Sequence, residues 1–325
     1  DFAFLNGRIN GTIEWYNKTT KDMIWGYPVS MAKYPVSTLV ANVGKMRNRG
    51  IELTINAVPI QTRDWNWSTS LNFSHNSNKI MKITNEEFNE TTLDQYDPDF
   101  PELSQGCTTQ RIVEGKPIGS FYMWDWAGYD ESGVSIFYEY DGNGNPVLNE
   151  DGTRATTQDP GQEDRIYQGN AQPKLTMGWN NTITWKNWDL NIFFTGVFGQ
   201  KIFNEPRAYY SYVTNIEKGR NIMSSVWEEQ NPNDTHSHYP SQRYLENGSY
   251  FKLSTLTLGY TFRNCFNGWL KDLRLYVSGN NLFTITKYKG RDPEICLGGL
   301  TPGHDTRSDH YPRTRQVLVG VNVNF

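Results

Sequence analysis

The stretch Thr314-Arg315-Gln316-Val317-Leu318-Val319-Gly320-Val321-Asn322-Val323-Asn324-Phe325 decides the fold of this chain of 325 residues. Its odd positions from residue 317 onward are four valines and then a phenylalanine, whereas most even positions are small or carry amides. This period of two predicts a β-strand with one apolar and one polar face. Such a strand occurs in a soluble β-sandwich and in a transmembrane β-barrel. The rest of the chain must distinguish the two.

The composition favours the barrel. Hydrophobic residues make up only 37% of the chain, yet aromatic residues reach 14%, with 11 Trp and 19 Tyr, and the mean hydropathy is −0.68. Many large aromatics in a polar chain fit a barrel with aromatic girdles and polar loops better than an α/β enzyme or a disordered chain. A net charge of −4 argues against a nucleic-acid binder. No run of 18 apolar residues is present, which excludes a transmembrane helix.

Nine segments alternate between apolar and polar residues. They are Asp1–Leu5, Arg8–Trp25, Ile51–Ala57, Trp65–Ser74, Leu175–Trp185, Trp188–Thr195, Thr255–Phe262, Leu273–Ser278 and the terminal strand. Their polar faces carry mainly Asn, Ser and Thr, which suit a hydrated lumen. A large soluble β-sandwich or propeller remains the alternative interpretation.

The connections between these segments alternate in length. Asn6-Gly7, Gln61–Asp64, Lys186-Asn187 and Arg263–Lys271 are short, whereas Gly26–Lys45, Thr84–Pro173, Gln200–Tyr250 and Thr286–Arg313 are long. Outer-membrane barrels have short periplasmic turns and long extracellular loops, so the alternation predicts long extracellular loops on one side. Nine antiparallel strands do not close neatly, and the chain begins within a strand. We therefore expect residues 1–325 to be the C-terminal part of a larger barrel.

Several ordered motifs carry a family resemblance. They are Gly11–Tyr16 with Lys18–Asp22, Asn42–Gly44 with Asn48–Leu53, Gly115–Tyr122, Gly169-Asn170 with Pro173-Lys174, Trp188–Leu190, Ser249–Leu253 with Leu256–Tyr260, Leu273–Leu282, Tyr288–Gly290 with Asp292–Glu294, and Tyr311–Arg313. Through these motifs the chain resembles the C-terminal part of SusC/RagA-type TonB-dependent transporters of the Gram-negative outer membrane.

The resemblance implies an all-β fold, an antiparallel transmembrane β-barrel of about 22 strands. It further implies that a plug domain and N-terminal strands lie outside residues 1–325. It also implies energy from the TonB system, a SusD-like surface lipoprotein acting as a lid, and import of an oligosaccharide. A peptide importer of the same family and a passive outer-membrane porin are the alternatives.

Loop aromatics are the predicted substrate-binding groups, because sugar rings present apolar faces to aromatic platforms. The candidates are Trp124, Trp126, Arg207, Tyr209, Tyr210 and Tyr212, with Tyr239 and Arg243 as further members. The competing interpretation is that these rings pack the long loops against each other or against the lid.

A second candidate site is a loop that partly matches a calcium-binding pattern. Asp141, Asn143 and Asn145 supply oxygen ligands at the first, third and fifth positions. However, Pro146 and Gly152 stand where that pattern requires glycine and a bidentate glutamate. A turn between two short loop strands is therefore favoured, with calcium as the alternative.

Other chemistry is not indicated. The motifs GxSxG and HExxH and the P-loop are absent, so we do not expect an enzyme. His236 and His238 lack a third zinc ligand. Cys107, Cys265 and Cys296 have no metal-binding spacing, and one pair, such as Cys107 with Cys296, is open to bridging. The final Phe325 resembles the C-terminal aromatic assembly signal of outer-membrane barrels.

Overall fold

The computed structural model describes residues 1–84, 91–95, 108–229, 234–265, 270–295, 297–306 and 311–325. Its strands, in chain order, are β1 (Phe2–Phe4), β2 (Ile9–Pro28), β3 (Thr38–Gln61), β4 (Trp65–Lys82), β5 (Thr92–Gln95), β6 (Gln110–Val113), β7 (Ser120–Trp124), β8 (Trp126–Tyr129), β9 (Ser135–Tyr138), β10 (Thr156–Thr157), β11 (Arg165–Asn170), β12 (Leu175–Trp185), β13 (Trp188–Phe198), β14 (Lys201–Asn204), β15 (Leu245–Asn247), β16 (Tyr250–Cys265), β17 (Leu270–Thr286), β18 (His304–Asp305) and β19 (Gln316–Asn324). Two short helices, α1 (Glu205–Tyr210) and α2 (Ser224–Glu229), lie between β14 and β15.

Nine long strands form one antiparallel sheet, which we call the wall. Its order is β1-β2-β3-β4-β12-β13-β16-β17-β19, so each wall strand pairs with its neighbours along the chain. Each of these strands overlaps one of the nine predicted segments, which confirms the all-β prediction. Within the described residues β1 and β19 form the two edges of the wall.

The wall has one apolar outer face and one polar inner face. Along β19, Val319 pairs with Val277, which pairs with Leu258 on the next strand, so one apolar row crosses several strands. The outer side chains are uncovered: Trp15 is 70% exposed and Val319 is 74% exposed. The residues between them belong to the inner face, as expected from the alternation of a strand.

Tight turns join the strands at one end of the wall, which we call the turn end. Lys186 and Asn187 connect Trp185 directly to its pairing partner Trp188. The turn between β1 and β2 spans residues 5–8, with the N–H of Gly7 donating to the carbonyl of Phe4 at 3.1 Å. The sequence places this turn correctly through its Asn-Gly signal.

One predicted long loop is wrong. Residues 26–45 are mostly strand, because β2 continues to Pro28 and β3 begins at Thr38. Trp25 and Tyr27 explain the extension, since both are buried and pack with Ile80 of β4 in one apolar cluster. The strands β2 and β3 therefore continue well beyond their predicted ends, and the chain turns between residues 28 and 38.

The other long connections fold together at the opposite end of the wall, which we call the loop end. The described parts of residues 83–174, 199–249 and 287–315 form the loop assembly, which contains three small sheets with orders β10-β9-β8, β11-β7-β6-β5 and β15-β14-β18. Its main apolar core contains Phe121, Met123, Trp124, Phe137, Ala171, Phe203, Ala208, Tyr209, Tyr244 and Leu245. The loop assembly is thus a packed unit with its own core.

None of the helices in the described part of the chain has the length and apolar character needed to cross a membrane.

Candidate functional site

The inner face of the wall is a lattice of hydrogen-bonded amides and hydroxyls. Thr54 Oγ1 donates to Asn72 Oδ1 at 3.0 Å, and Asn191 Nδ2 donates to Asn180 Oδ1 at 3.1 Å. Near the other edge, Thr257 and Ser278 join their hydroxyls at 2.7 Å. The face therefore presents neutral polar groups that exchange hydrogen bonds with water or with a polar solute.

An ion pair crosses the inner face near the turn end. Arg274 Nε and Nη2 donate to the two carboxylate oxygens of Asp189 at 2.9 and 2.5 Å. Gly259 lies between them on β16, and a Cβ there would come within 2.6 Å of Asp189 Oδ1. The glycine leaves the space for a bidentate pair, which fixes both planar groups.

Tyrosine rings lie flat over glycines on the same face. A Cβ at Gly50 would come within 2.6 Å of the Tyr16 hydroxyl, and one at Gly320 within 2.3 Å of the Tyr276 ring. The Tyr16 hydroxyl donates to Asn76 Oδ1 at 2.9 Å. The missing side chains let the rings lie close to the sheet, so they project little into the lumen.

Trp124 and Trp126 occupy different depths in the loop assembly. Trp124 is 2% exposed and packs on Tyr239 with a centroid distance of 5.0 Å. Trp126 is half-buried, and the Arg243 guanidinium lies 4.6 Å from its ring. The cation–π contact holds this ring at the edge of the core.

Asp125, between the two tryptophans, has a structural set of partners. Its Oδ2 accepts from the Tyr140 hydroxyl at 2.6 Å and from Arg154 Nη2 at 3.1 Å. Burial, with the neighbouring Asp125 carboxylate, raises the pKa of Tyr140 to about 12. This carboxylate therefore ties two loop strands together.

Arg207 on α1 points toward a carboxylate that joins three segments. Its Nη1 donates to Glu246 Oε1 at 3.0 Å, and Asn204 Nδ2 donates to the same oxygen at 3.2 Å. The backbone N–H of Lys289 donates to Glu246 Oε2 at 2.7 Å. Glu246 thus connects the start of α1, the strand β15 and the segment that follows β17.

The three tyrosines of α1 and the following turn differ in exposure. Tyr209 is 5% exposed and belongs to the main core, whereas Tyr210 is 38% exposed. Tyr212 is half-buried, with its ring 4.0 Å from that of His238. Because neighbouring helical residues point in different directions, only Tyr210 of this run is broadly accessible.

A cavity of about 330 Å³ opens beside Tyr210. It is lined by Asn204, Pro206, Arg207, Tyr210, Met223, Lys289, Gly290, Arg291 and Asp305. Three of these side chains are cationic, while Glu246 and Asp305 carry the compensating charges nearby. The cavity combines an aromatic ring, an apolar side chain and cations, as small-molecule sites do.

Buried polar groups stiffen the floor of this cavity. The Tyr288 hydroxyl donates to Asp305 Oδ2 at 2.6 Å, and Arg291 Nη2 donates to Oδ1 at 3.1 Å. Burial, followed by the charge of Asp305, raises the pKa of the Tyr288 phenol far above its usual range. The phenol therefore stays protonated and keeps donating.

His304 is held neutral next to this floor. Its Nδ1 lies 3.2 Å from the Thr301 carbonyl, to which it donates, so Nε2 accepts from the Thr109 hydroxyl at 2.7 Å. Burial lowers the pKa of His304 to about 3. The side chain therefore acts as a polar link between the first and last long connections.

The loop at Asp141 forms a self-contained turn. Asp141 Oδ1 accepts from the backbone N–H of Asn143 at 2.9 Å and of Asn145 at 2.8 Å, and residues 140 and 146 pair across it. The hydrogen bond from the Asn145 side chain, followed by these backbone bonds, lowers the pKa of Asp141. The turn is thus closed by hydrogen bonds within the chain. Throughout the described ranges no cluster of three or more His, Cys, Asp or Glu side chains is arranged to hold a metal ion.

Of the three cysteines, one lies among the described residues. Cys265, at the end of β16, is a free thiol. Cys107 and Cys296, the pair open to bridging, lie outside the described residues.

The structure therefore brings the predicted site residues into one assembly but gives them different roles. Trp124 and Tyr209 are core, Trp126 and Tyr212 are half-buried, and Tyr210 with Arg207 faces the cavity. Sequence reasoning missed Glu246, Lys289 and Arg291 as neighbours of this cavity. The sequence signal that could have pointed to this cavity is Tyr288–Gly290, one of the motifs that carry the family resemblance.

The sequence of this chain is similar to those of TonB-dependent receptors. No family model matches the chain. The TonB-dependent receptor P3 of Formosa agariphila is 31% identical over the whole of this chain, which covers 33% of that protein. The TonB-dependent receptor SusC of Bacteroides thetaiotaomicron is 30% identical over the whole chain, which covers 31% of it. The chain thus spans about a third of the length of these relatives.

Solved structures give the same result. The structure of the RagAB peptide transporter matches 98% of this chain with a TM-score of 0.79 and 25% identity, and the chain covers 34% of it. The closed-closed state of the RagAB peptide importer also has a TM-score of 0.79, at 24% identity. The similarity in sequence and fold extends over the whole of this chain, and the wall has the apolar and polar faces of a barrel. The chain therefore belongs to the SusC/RagA-type family of TonB-dependent transporters.

Proposed function

We propose that this chain is the C-terminal part of an outer-membrane β-barrel that imports oligosaccharides with energy from the TonB system. The observation that carries the proposal is the two-faced wall, whose outer face is apolar across all nine strands and whose inner face is hydrogen-bonded and polar. The two edges, β1 and β19, suit pairing with further strands of the whole protein. N-terminal strands outside this chain would complete the barrel, and a plug domain would lie within it.

The apolar band has a height that suits an outer membrane. On β4, ten residues separate Trp65 from His75 on the outer face, which is about 33 Å along the strand. With the usual barrel tilt of about 40°, this corresponds to about 25 Å, the height of a barrel's apolar band. Aromatic rings gather at the turn end, where Trp65 stacks on Trp185 at 5.5 Å and Trp188 meets Tyr260 at 4.7 Å.

The orientation follows from the connections. Tight turns mark the periplasmic end, and the loop assembly faces the outside. A SusD-like lipoprotein would cover the loop assembly as a lid. The role is transport rather than catalysis.

We assign cargo contact to the cavity beside Tyr210. Its ring would stack on a sugar face, and Arg207 would donate to hydroxyl or carboxylate oxygens. Trp124, Trp126, Tyr209 and Tyr212 would support this surface from below. Phe325 would serve as the assembly signal.

The test is binding of cargo to the whole transporter purified with its partner lipoprotein. Calorimetry against a panel of oligosaccharides should find a ligand, and Tyr210→Ala should weaken it on the order of tenfold. Trp227→Ala is the control, because Trp227 is an exposed aromatic outside the cavity lining. Equal effects of the two substitutions would exclude the cavity as the cargo site.

A peptide importer is the second candidate, favoured by the likeness to RagAB. In that case the same assay would find peptides and no oligosaccharide. A passive porin would instead give steady open-channel conductance in planar bilayers and would need neither the lipoprotein nor TonB.

A further inference from the structure

Three cationic side chains lie side by side on the wall just beyond the apolar band. Arg47 of β3 pairs across the sheet with Lys79 of β4, and Arg49 pairs with Ser77. The neighbouring strand β2 adds only neutral groups at this level, since Thr19 pairs with Arg47 and Asn17 pairs with Arg49. We call Arg47, Arg49 and Lys79 the basic patch.

The basic patch belongs to the outer face. On β3 it continues the alternate positions of Leu53 and Ile51, which are apolar and point outward. The residue between, Gly50, lies under the Tyr16 ring on the inner face. Arg49 and Lys79 are exposed, and Arg47 is half-buried. Arg49 and Lys79 therefore face outward, and all three cations line a cavity of about 270 Å³ that they share with residues of the loop assembly.

The height of the basic patch coincides with the boundary of the membrane. The apolar band ends in the row formed by Trp15, Ile51 and His75. Arg49 and Arg47 lie two and four residues beyond Ile51, which places them about 5 and 10 Å higher for a strand tilted by about 40°. This is the level of lipid headgroups.

The cations of the basic patch have no carboxylate partner among the residues that the structure describes. Other arginines do: Arg111 pairs with Asp94, Arg154 with Asp125, Arg207 with Glu246, Arg274 with Asp189 and Arg291 with Asp305. Arg47 Nε is buried and makes no hydrogen bond. Along β2 and β3 the nearest carboxylates are Asp22, three residues beyond Thr19, and Glu14 and Glu52, which lie opposite each other on the inner face.

We propose that the basic patch binds the phosphate of a lipid headgroup in the leaflet at the loop end. A guanidinium donates two parallel hydrogen bonds to a phosphate, and the exposed side chains of Arg49 and Lys79 offer cationic donors at this level. Apolar side chains directly below, such as Trp15 and Ile51, would contact the acyl chains of the same lipid. The inference rests on the membrane orientation proposed above.

The experiment uses the whole transporter in nanodiscs of neutral lipid to which lipid A is added, either phosphorylated or enzymatically dephosphorylated. Native mass spectrometry counts the bound lipid. The variant R47Q/R49Q/K79Q should bind phosphorylated lipid A on the order of 100-fold more weakly than the wild type, since each surface cation contributes about fivefold. Dephosphorylated lipid A should show no such difference, and inorganic phosphate alone should not displace the lipid.

The control is R63Q/K186Q/K271Q, which removes the same charge at the turn end, where all three side chains are exposed. It should bind like the wild type, and resistance of the barrel to unfolding on unheated gels should be equal in all three proteins. Equal binding by the two triple variants, or displacement by inorganic phosphate, would overturn the proposal. Failure of the whole protein to reach the outer membrane would instead refute the proposed function.

Discussion

Replacing Glu246 by Gln tests whether the loop assembly is held together by one carboxylate. The substitution keeps the shape of the side chain but removes its charge and replaces one acceptor oxygen with a donor. Arg207 Nη1 and Asn204 Nδ2 both donate to Oε1, and the backbone N–H of Lys289 donates to Oε2. In the variant at least one of these donors faces an amide NH₂.

The magnitude follows from the number and type of bonds. A hydrogen bond to a charged group contributes about 1.5–3 kcal/mol, and an unpaired buried donor costs about 1–3 kcal/mol. Because Glu246 is only 9% exposed, solvent compensates little. We expect the free energy of local opening to fall by about 2–4 kcal/mol, which raises hydrogen exchange on the order of 30- to 1000-fold.

The assay is hydrogen–deuterium exchange, read by mass spectrometry, on the whole transporter. Peptides that cover β14, α1 and β15 should exchange faster in Glu246→Gln, while wall strands such as β12 keep their protection. Glu228→Gln is the matched control, because Glu228 lies exposed on α2. If the two variants protect β15 equally, the carboxylate does not hold the loop assembly and the reasoning is refuted.

Three further predictions concern other parts of the chain. Deleting Phe325 should lower the amount of folded barrel in the outer membrane without changing cargo affinity; normal surface levels by protease accessibility would contradict it. Gly50→Ala should reduce the fraction of folded barrel on unheated gels, since its Cβ would come within 2.3 Å of the His75 carbonyl oxygen, whereas Gly142→Ala, with nothing within 4 Å, should not. Between pH 7.5 and 5 the loop assembly should lose about 2 kcal/mol of stability. The pKa of His304 is about 6.5 in the unfolded chain but about 3 in the folded chain. The unfolded state therefore binds more protons in this pH range, and lowering the pH favours it. Hydrogen exchange at the two pH values measures this loss, and His304→Asn should abolish it; an unchanged pH dependence in that variant would contradict the assignment.

The wall could be predicted from the sequence because its signal is local. Alternation along β12 and β19 states which residues face outward, and the lengths of the connections give the order of the strands. The upper part of the hairpin β2–β3 could not be predicted. There Trp25 and Tyr27 pack with Ile80 and Ile112, which are distant in sequence, so their burial cannot be inferred from the local alternation of residues.

The candidate site was harder to predict, because it also depends on contacts between residues that are distant in sequence. The aromatic residues of the loops are visible in the sequence, but their exposure depends on neighbours far along the chain. Tyr209 and Tyr210 are adjacent, yet one is core and the other lines the cavity. Glu246 shows the difficulty most clearly, since its partners at residues 204, 207 and 289 come from two different connections.

The ladder between β14 and β18 adds a consequence for the timing of folding. It pairs Phe203 with His304 in parallel across a separation of 101 residues, which is comparable with the antiparallel pairing of Trp65 with Trp185 in the wall, 120 residues apart. Contacts between distant residues form slowly because a long loop must close first. The lining of the cavity comes from residues 204–223 and 289–305, so we expect the cavity to form only after both of these connections have folded together. A chain in which residues 289–305 have not yet packed against residues 204–223 would lack the cavity altogether.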